Sequence, residues 1–154
     1  MSRIISFRGQ LAGDDAGSMQ SIALQTNNGL IGYRITKLQT IQKSPGAVNC
    51  EGLIVIWKTE PTAAEIATKT IDLSNNRILA IAFYSGQASA QTYPEDMTII
   101  FDNEKFNQDI YISYIDVSTS NDAMNFYFEL EQMKLDLNEQ TVATLKDIRN
   151  VGAE

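Results

Sequence analysis

Leu53-Ile-Val-Ile-Trp57 and Ile78-Leu-Ala-Ile-Ala-Phe-Tyr84 are the stretches on which the fold turns. Both are continuous apolar runs, short enough for strands and rich in β-branched and aromatic residues. Ile110-Tyr-Ile-Ser-Tyr-Ile115 is nearly as apolar. A strand exposes alternate side chains to opposite faces, so a run apolar at every position is covered on both. Asn125–Glu131 reads differently: Phe126, Phe128 and Leu130 share one parity, while Asn125, Tyr127, Glu129 and Glu131 share the other. That is a strand with one face toward a core and one toward water. Met133, Leu135 and Leu137 then continue on the opposite parity, which predicts a bulge or break near Glu131–Gln132.

Working outward from these stretches gives about eight strands: Ile4–Phe7, Ser21–Gln25, Leu30–Gln42, Cys50–Thr59, Arg77–Tyr84, Met97–Asp102, Asp109–Val117 and Asn125–Leu137. Gly, Asn, Asp, Pro and Ser clusters separate them. This spacing fits a mainly β protein, an antiparallel β-sandwich or its jelly-roll form, and no βαβ alternation. A short C-terminal helix is expected after Asn138, with Glu139 at its positive end and Val142, Leu145 and Ile148 as its apolar stripe. A further helical turn is expected after Pro61, through Ala63, Ala64 and Ile66. The doubly apolar strands need a second cover, for which the C-terminal helix and a neighbouring subunit are the two candidates.

The chain has 154 residues with 44% apolar content, which suits one domain, 1–154, able to bury a core without disulfide or metal. Three prolines and nine glycines are dispersed, so no linker divides it. Nineteen acidic against twelve basic residues give a net charge of -7, which repels phosphate backbones and argues against nucleic acid as a partner. No window approaches the ~20 apolar residues of a membrane helix, and the N-terminal stretch lacks the apolar core of a signal peptide. The chain is expected to be made in a cytoplasm.

Histidine is absent, which removes Ser-His-Asp triads, Cys-His dyads and histidine-ligated metals. Cys50 is the single cysteine, so there is no intramolecular disulfide, and a buried inert thiol is its expected state. No phosphate-binding glycine loop, GxSxG elbow or SxxK occurs. The remaining acid–base equipment is carboxylate: Asp14-Asp15, Glu95-Asp96, Asp102 with Glu104, and Asp116. A glycosidase would need two of these about 5–10 Å apart in a cleft; solvated turn residues are the plainer reading. Asp14–Ser18 and Asp102–Phe106 are the densest oxygen-rich loops, but neither follows the EF-hand pattern. Trp57, Tyr84 and Tyr93 could together form a sugar-stacking platform, though Trp57 ends a buried-looking strand. The uncharged loop Ser85–Pro94 suits contact with another protein, because ordering its small side chains costs little entropy. No catalytic, cofactor-binding or metal residue is assigned, and no cofactor is expected.

Gly32-Tyr-Arg-Ile-Thr-Lys-Leu-Gln39 with Glu51-Gly-Leu-Ile-Val-Ile-Trp-Lys58, and Phe126-Tyr-Phe-Glu-Leu-Glu131 with Ala143-Thr-Leu-Lys-Asp-Ile-Arg149, resemble small virion proteins of bacteriophages and related viruses. The resemblance implies a capsid-associated structural protein, a shell subunit or decoration protein, located in the virion. Its partners would be copies of itself and other capsid proteins. It transfers no residue-level role. A carbohydrate-binding sandwich module is the alternative.

Overall fold

The computed structural model describes residues 3–24, 30–45, 47–86, 95–101, 104–118, 120–135 and 143–145. Eight strands form two antiparallel sheets, the β-sandwich that the sequence implies. They are β1 (Arg3–Leu11), β2 (Ser18–Ile22), β3 (Ile31–Gln42), β4 (Cys50–Trp57), β5 (Ile78–Gly86), β6 (Glu95–Ile100), β7 (Ile110–Asp116) and β8 (Met124–Lys134). One sheet has the order β1-β8-β3 and the other β2-β7-β4-β5-β6.

The inner faces meet in one core. Ile35, Leu38, Phe126, Phe128 and Leu130 come from the smaller sheet, and Ile54, Ile56, Ala80, Ala82, Ile112 and Tyr114 from the larger. The outer face of the smaller sheet is the water face that the alternation predicted. Arg34 pairs there with Glu131 at 2.9 Å, Lys37 lies over the Tyr127 ring, and Gln10 bonds Asn125.

The predicted break in β8 is not there. β8 keeps register with β1 as far as Gln132 and with β3 as far as Lys134. The irregularity falls instead on the partner strand, where Thr36 is an extra residue between Ile35 and Lys37. The parity change is met by ending the strand. The Leu135 amide donates to the Leu30 carbonyl at 2.7 Å, and the Leu135 side chain turns in to fill the space above Gly32. A second irregularity lies in β5, where Leu79 is inserted opposite Ile56–Trp57, so that both Leu79 and Ala80 reach the inner core.

Helix α1 (Ala63–Ala67) forms after Pro61 as expected. Thr62 accepts from the Glu65 amide while the Glu65 carboxylate accepts from the Thr62 amide, a reciprocal pair that satisfies two of the end's free donors. At the C-terminus only 143–145 are described, and they are helical. Ala143 is buried there, while Leu145, expected in the apolar stripe, is 52% exposed. Asn138, Glu139, Val142 and Ile148 lie outside the described residues.

Candidate functional site

The doubly apolar strands meet their second cover at α1. Leu53, Val55, Trp57, Ile78, Ile81 and Ile115 form a second buried cluster on the outer face of the five-stranded sheet. The connection from β4 to β5, residues 58–77, folds back over this face as an arm. Over part of this face the cover is therefore the connection between β4 and β5, a segment that neither expected cover named. Gly17 permits the close approach: a side chain there would meet Ile66 at 2.7 Å, and its φ of +80° also favours glycine.

Arg77 ties the arm down. Its guanidinium donates to the Glu65 carboxylate at 2.7 Å, the Thr59 hydroxyl at 2.7 Å and the Glu60 carbonyl at 3.1 Å. It also stands over the Trp57 ring. Trp57 in turn donates its indole N–H to the Ser113 hydroxyl at 2.8 Å. Lys58, equally buried, pairs with Glu104 at 3.1 Å. A buried cation is tolerable only with its lone-pair partners in place, and these residues supply them. Burial would raise the Glu65 carboxyl, but hydrogen bonds from Thr62 and Arg77 outweigh it and hold the group below its ordinary range.

Between arm and sheet lies a cavity of about 300 Å³. Leu53, Val55, Ile81 and Ile115 line it from the sheet and Ile66 and Ile71 from the arm, with Glu65 and Asp72 also bordering it. Its sheet wall is apolar, while Thr68, Thr70 and Asn75 add polar groups on the arm side. Of the hydroxyls that line it, Ser113 already holds Trp57, and those of Thr68 and Thr70 lie 3.2 Å apart, bonded to each other.

The carboxylates singled out from sequence are dispersed. Asp14 accepts from the Ala16 amide and Asp15 from the Asn121 amide group, both in an exposed turn. Asp96 is exposed on β6, Glu104 is the partner of Lys58, and Asp102 lies outside the described residues. Asp116 is buried and accepts from the Glu51 amide and from the amide and hydroxyl of Ser118. No group of three or more metal-ligating side chains occurs among the described residues. Nor is any described helix long and apolar enough to cross a membrane.

The aromatic platform is not formed. Trp57 packs in the outer cluster and Tyr84 in the inner core, on opposite faces of one sheet, and Tyr93 lies outside the described residues. Cys50 is buried, as expected. Burial pushes its thiol up to about 11, and Tyr114 is raised in the same way. Tyr114 donates to the Asp122 carbonyl at 2.6 Å, which leaves the Cys50 thiol as the donor in its 3.5 Å contact with the phenol. These groups, with Gln42 donating to the Val48 and Ser44 carbonyls and to Asp122, close one end of the sandwich.

No protein-family model matches the chain, and no curated protein matches it. Among solved structures it is similar to a chain of mud crab dicistrovirus, at 15% identity and TM-score 0.35, covering 88% of this chain and 70% of that one. It is similar to a subunit of Bacillus endospore appendages at 6% identity and TM-score 0.34, covering 88% of each chain. For the VP1 of Trichodysplasia spinulosa-associated polyomavirus the identity is 8% and the TM-score 0.35, over 86% of this chain and 93% of that one. Likenesses of this order fix neither family nor function.

Proposed function

We propose that this chain is a non-enzymatic structural subunit of a virus particle, acting by packing against copies of itself and other shell proteins. The observation that carries the reading is the outer face of the five-stranded sheet, where the apolar rows run past the edge of the arm. The row Ile115–Leu53–Phe83 ends at Met97 on β6, which is 63% exposed, and Ile71 and Leu73 on the arm are also exposed. An apolar row that ends on an exposed side chain, with further exposed apolar groups on the arm, fits a contact with protein better than one with water.

The strand order supports the jelly-roll form of the sandwich. First pairs with last, second with seventh and fourth with fifth, the nesting of one long hairpin rolled over. The sixth strand departs from that nesting, since it pairs with the fifth in the larger sheet, but it approaches the third, where the Thr98 hydroxyl donates to the Leu38 carbonyl at 3.4 Å. The test is the solution mass of the purified chain by light scattering across a concentration range, with electron microscopy of the largest species. Closed oligomers or shells that Met97→Glu disrupts are the expected result. A strict monomer that binds no shell protein would sink the reading.

A further inference from the structure

Among the described residues β1 is an edge of the smaller sheet, nine residues from Arg3 to Leu11 that pair on one side with β8 and with no other described strand. Such an edge presents a row of free backbone donors and acceptors, and proteins blunt it with proline, bulges or inward charges. β1 has no proline, its register with β8 is unbroken over all nine residues, and of its two arginines only Arg3, at the end of the strand, shares the inward parity of Ile5 and Phe7. Its inward-facing Ile5 and Phe7 pack against the core but are only half-buried. An aromatic stack runs along β8 and ends on this edge: Phe126 stacks on Phe128 at 5.9 Å, and Phe128 on Phe7 of β1 at 5.3 Å.

We infer that a second copy of this chain adds its own β1 to this edge, antiparallel, with a two-fold axis at Phe7. The proposal rests on the self-association in the reading above and names the surface involved. Phe7 is the midpoint of β1, so this register pairs all nine residues of each copy. It sets Phe7 beside Phe7 of the second copy, continuing the stack and covering the half-buried row. Ile5 faces Gly9, Ile4 faces Gln10 and Arg3 faces Leu11, so no like charges are opposed.

The remaining pair, Ser6 with Arg8, supplies charge complementarity. Within one chain Ser6 is the lateral neighbour of Glu129 on β8. Arg8 of the second copy therefore stands two strand spacings from Glu129, about 10 Å between Cα atoms. The short Ser6 side chain lets the two long ones meet above it, twice per dimer by symmetry. Neither Arg8 nor Glu129 makes an ion pair within its own chain among the described residues; Lys37 on β3 is the other lateral neighbour of Glu129, and its ammonium lies over the Tyr127 ring. The product is a continuous six-stranded sheet, two copies of β3-β8-β1 joined edge to edge.

Sedimentation equilibrium of the intact chain, with Arg8→Glu and the double variant Arg8→Glu/Glu129→Arg, tests this. The expected result is a wild-type dimer, a dimer Kd raised at least about tenfold by Arg8→Glu, and recovery in the double variant. Hydrogen exchange at the Ile4–Gln10 amides should slow as wild-type concentration rises. A monomer with concentration-independent exchange overturns the proposal. So does an oligomer that Met97→Glu breaks and Arg8→Glu leaves intact, a result that would spare the virion reading. A dimer sensitive to Arg8→Glu that never joins a shell sustains the β1 contact and removes the virion reading.

Discussion

The Arg77 guanidinium lies 5.6 Å from the centre of the Trp57 ring, and its N–H groups are held by Glu65, Thr59 and Glu60. One arginine thereby joins the tip of β4, the helix of the arm and the start of β5. Arg77→Ala would strip the Glu65 carboxylate of its cation and uncover the indole. Glu65 is a quarter exposed, so losing its cation costs less than in a fully buried pair, about 2–3 kcal/mol. Urea unfolding should show that loss, with Trp57 emission shifted to the red in the folded baseline. Glu65→Gln keeps the shape and should cost less, about 1–3 kcal/mol.

The arm should loosen in acid. The folded-state carboxyl of Glu65 titrates below its unfolded value, so its contribution to stability is whole above the ordinary glutamate range, about 4.3. It fades as pH falls through the lower, folded value. Trp57 fluorescence between pH 6 and pH 2 should report the change in the wild type. In Glu65→Gln that component of the transition should vanish.

Gly32 and Leu135 occupy one space. A Cβ on residue 32 would lie 2.6–2.8 Å from the Leu135 side chain, which is buried and anchored through its amide. Gly32→Ala should destabilise by about 1–3 kcal/mol through overpacking. Leu135→Ala should cost about 2–5 kcal/mol by opening a cavity. The double variant should cost clearly less than the two effects added, because the new methyl enters the vacated volume. Thermal unfolding of the four proteins measures the coupling, and strict additivity would refute the shared space.

Cys50 should be inert. With its thiol raised to about 11 by burial, thiolate is scarce at neutral pH and the sulfur is shielded from reagents. A disulfide reagent at pH 8 should modify native protein at least about a hundredfold more slowly than protein in denaturant. Tyr114→Phe removes the partner of the thiol and the bond to the Asp122 carbonyl, and should lower stability by about 1–3 kcal/mol.

The chain of residues by itself determined the class of fold and most of its strands. Period-two alternation at Phe126, Phe128 and Leu130 and the unbroken runs at Leu53–Trp57 and Ile78–Tyr84 are local consequences of which side chains water rejects. That the runs needed a second cover was legible too, and so was a helical turn after Pro61. What covers them was not. Thr62-Ala-Ala-Glu65 is a readable helix start, but its meaning depends on Arg77, which reaches Glu65 only when the arm closes over the sheet.

The same holds for the parity change after Leu130. Sequence shows that the period shifts, and tertiary packing decides that β8 ends against Gly32 while β3 takes the extra residue. Trp57 and Tyr84 read alike as strand-end aromatics, yet strand register sends them to opposite faces of one sheet. Local patterns record the solvent preference of each residue. Contacts between residues far apart in the chain come from the free-energy minimum of the whole fold, and only the assembled sheets specify them.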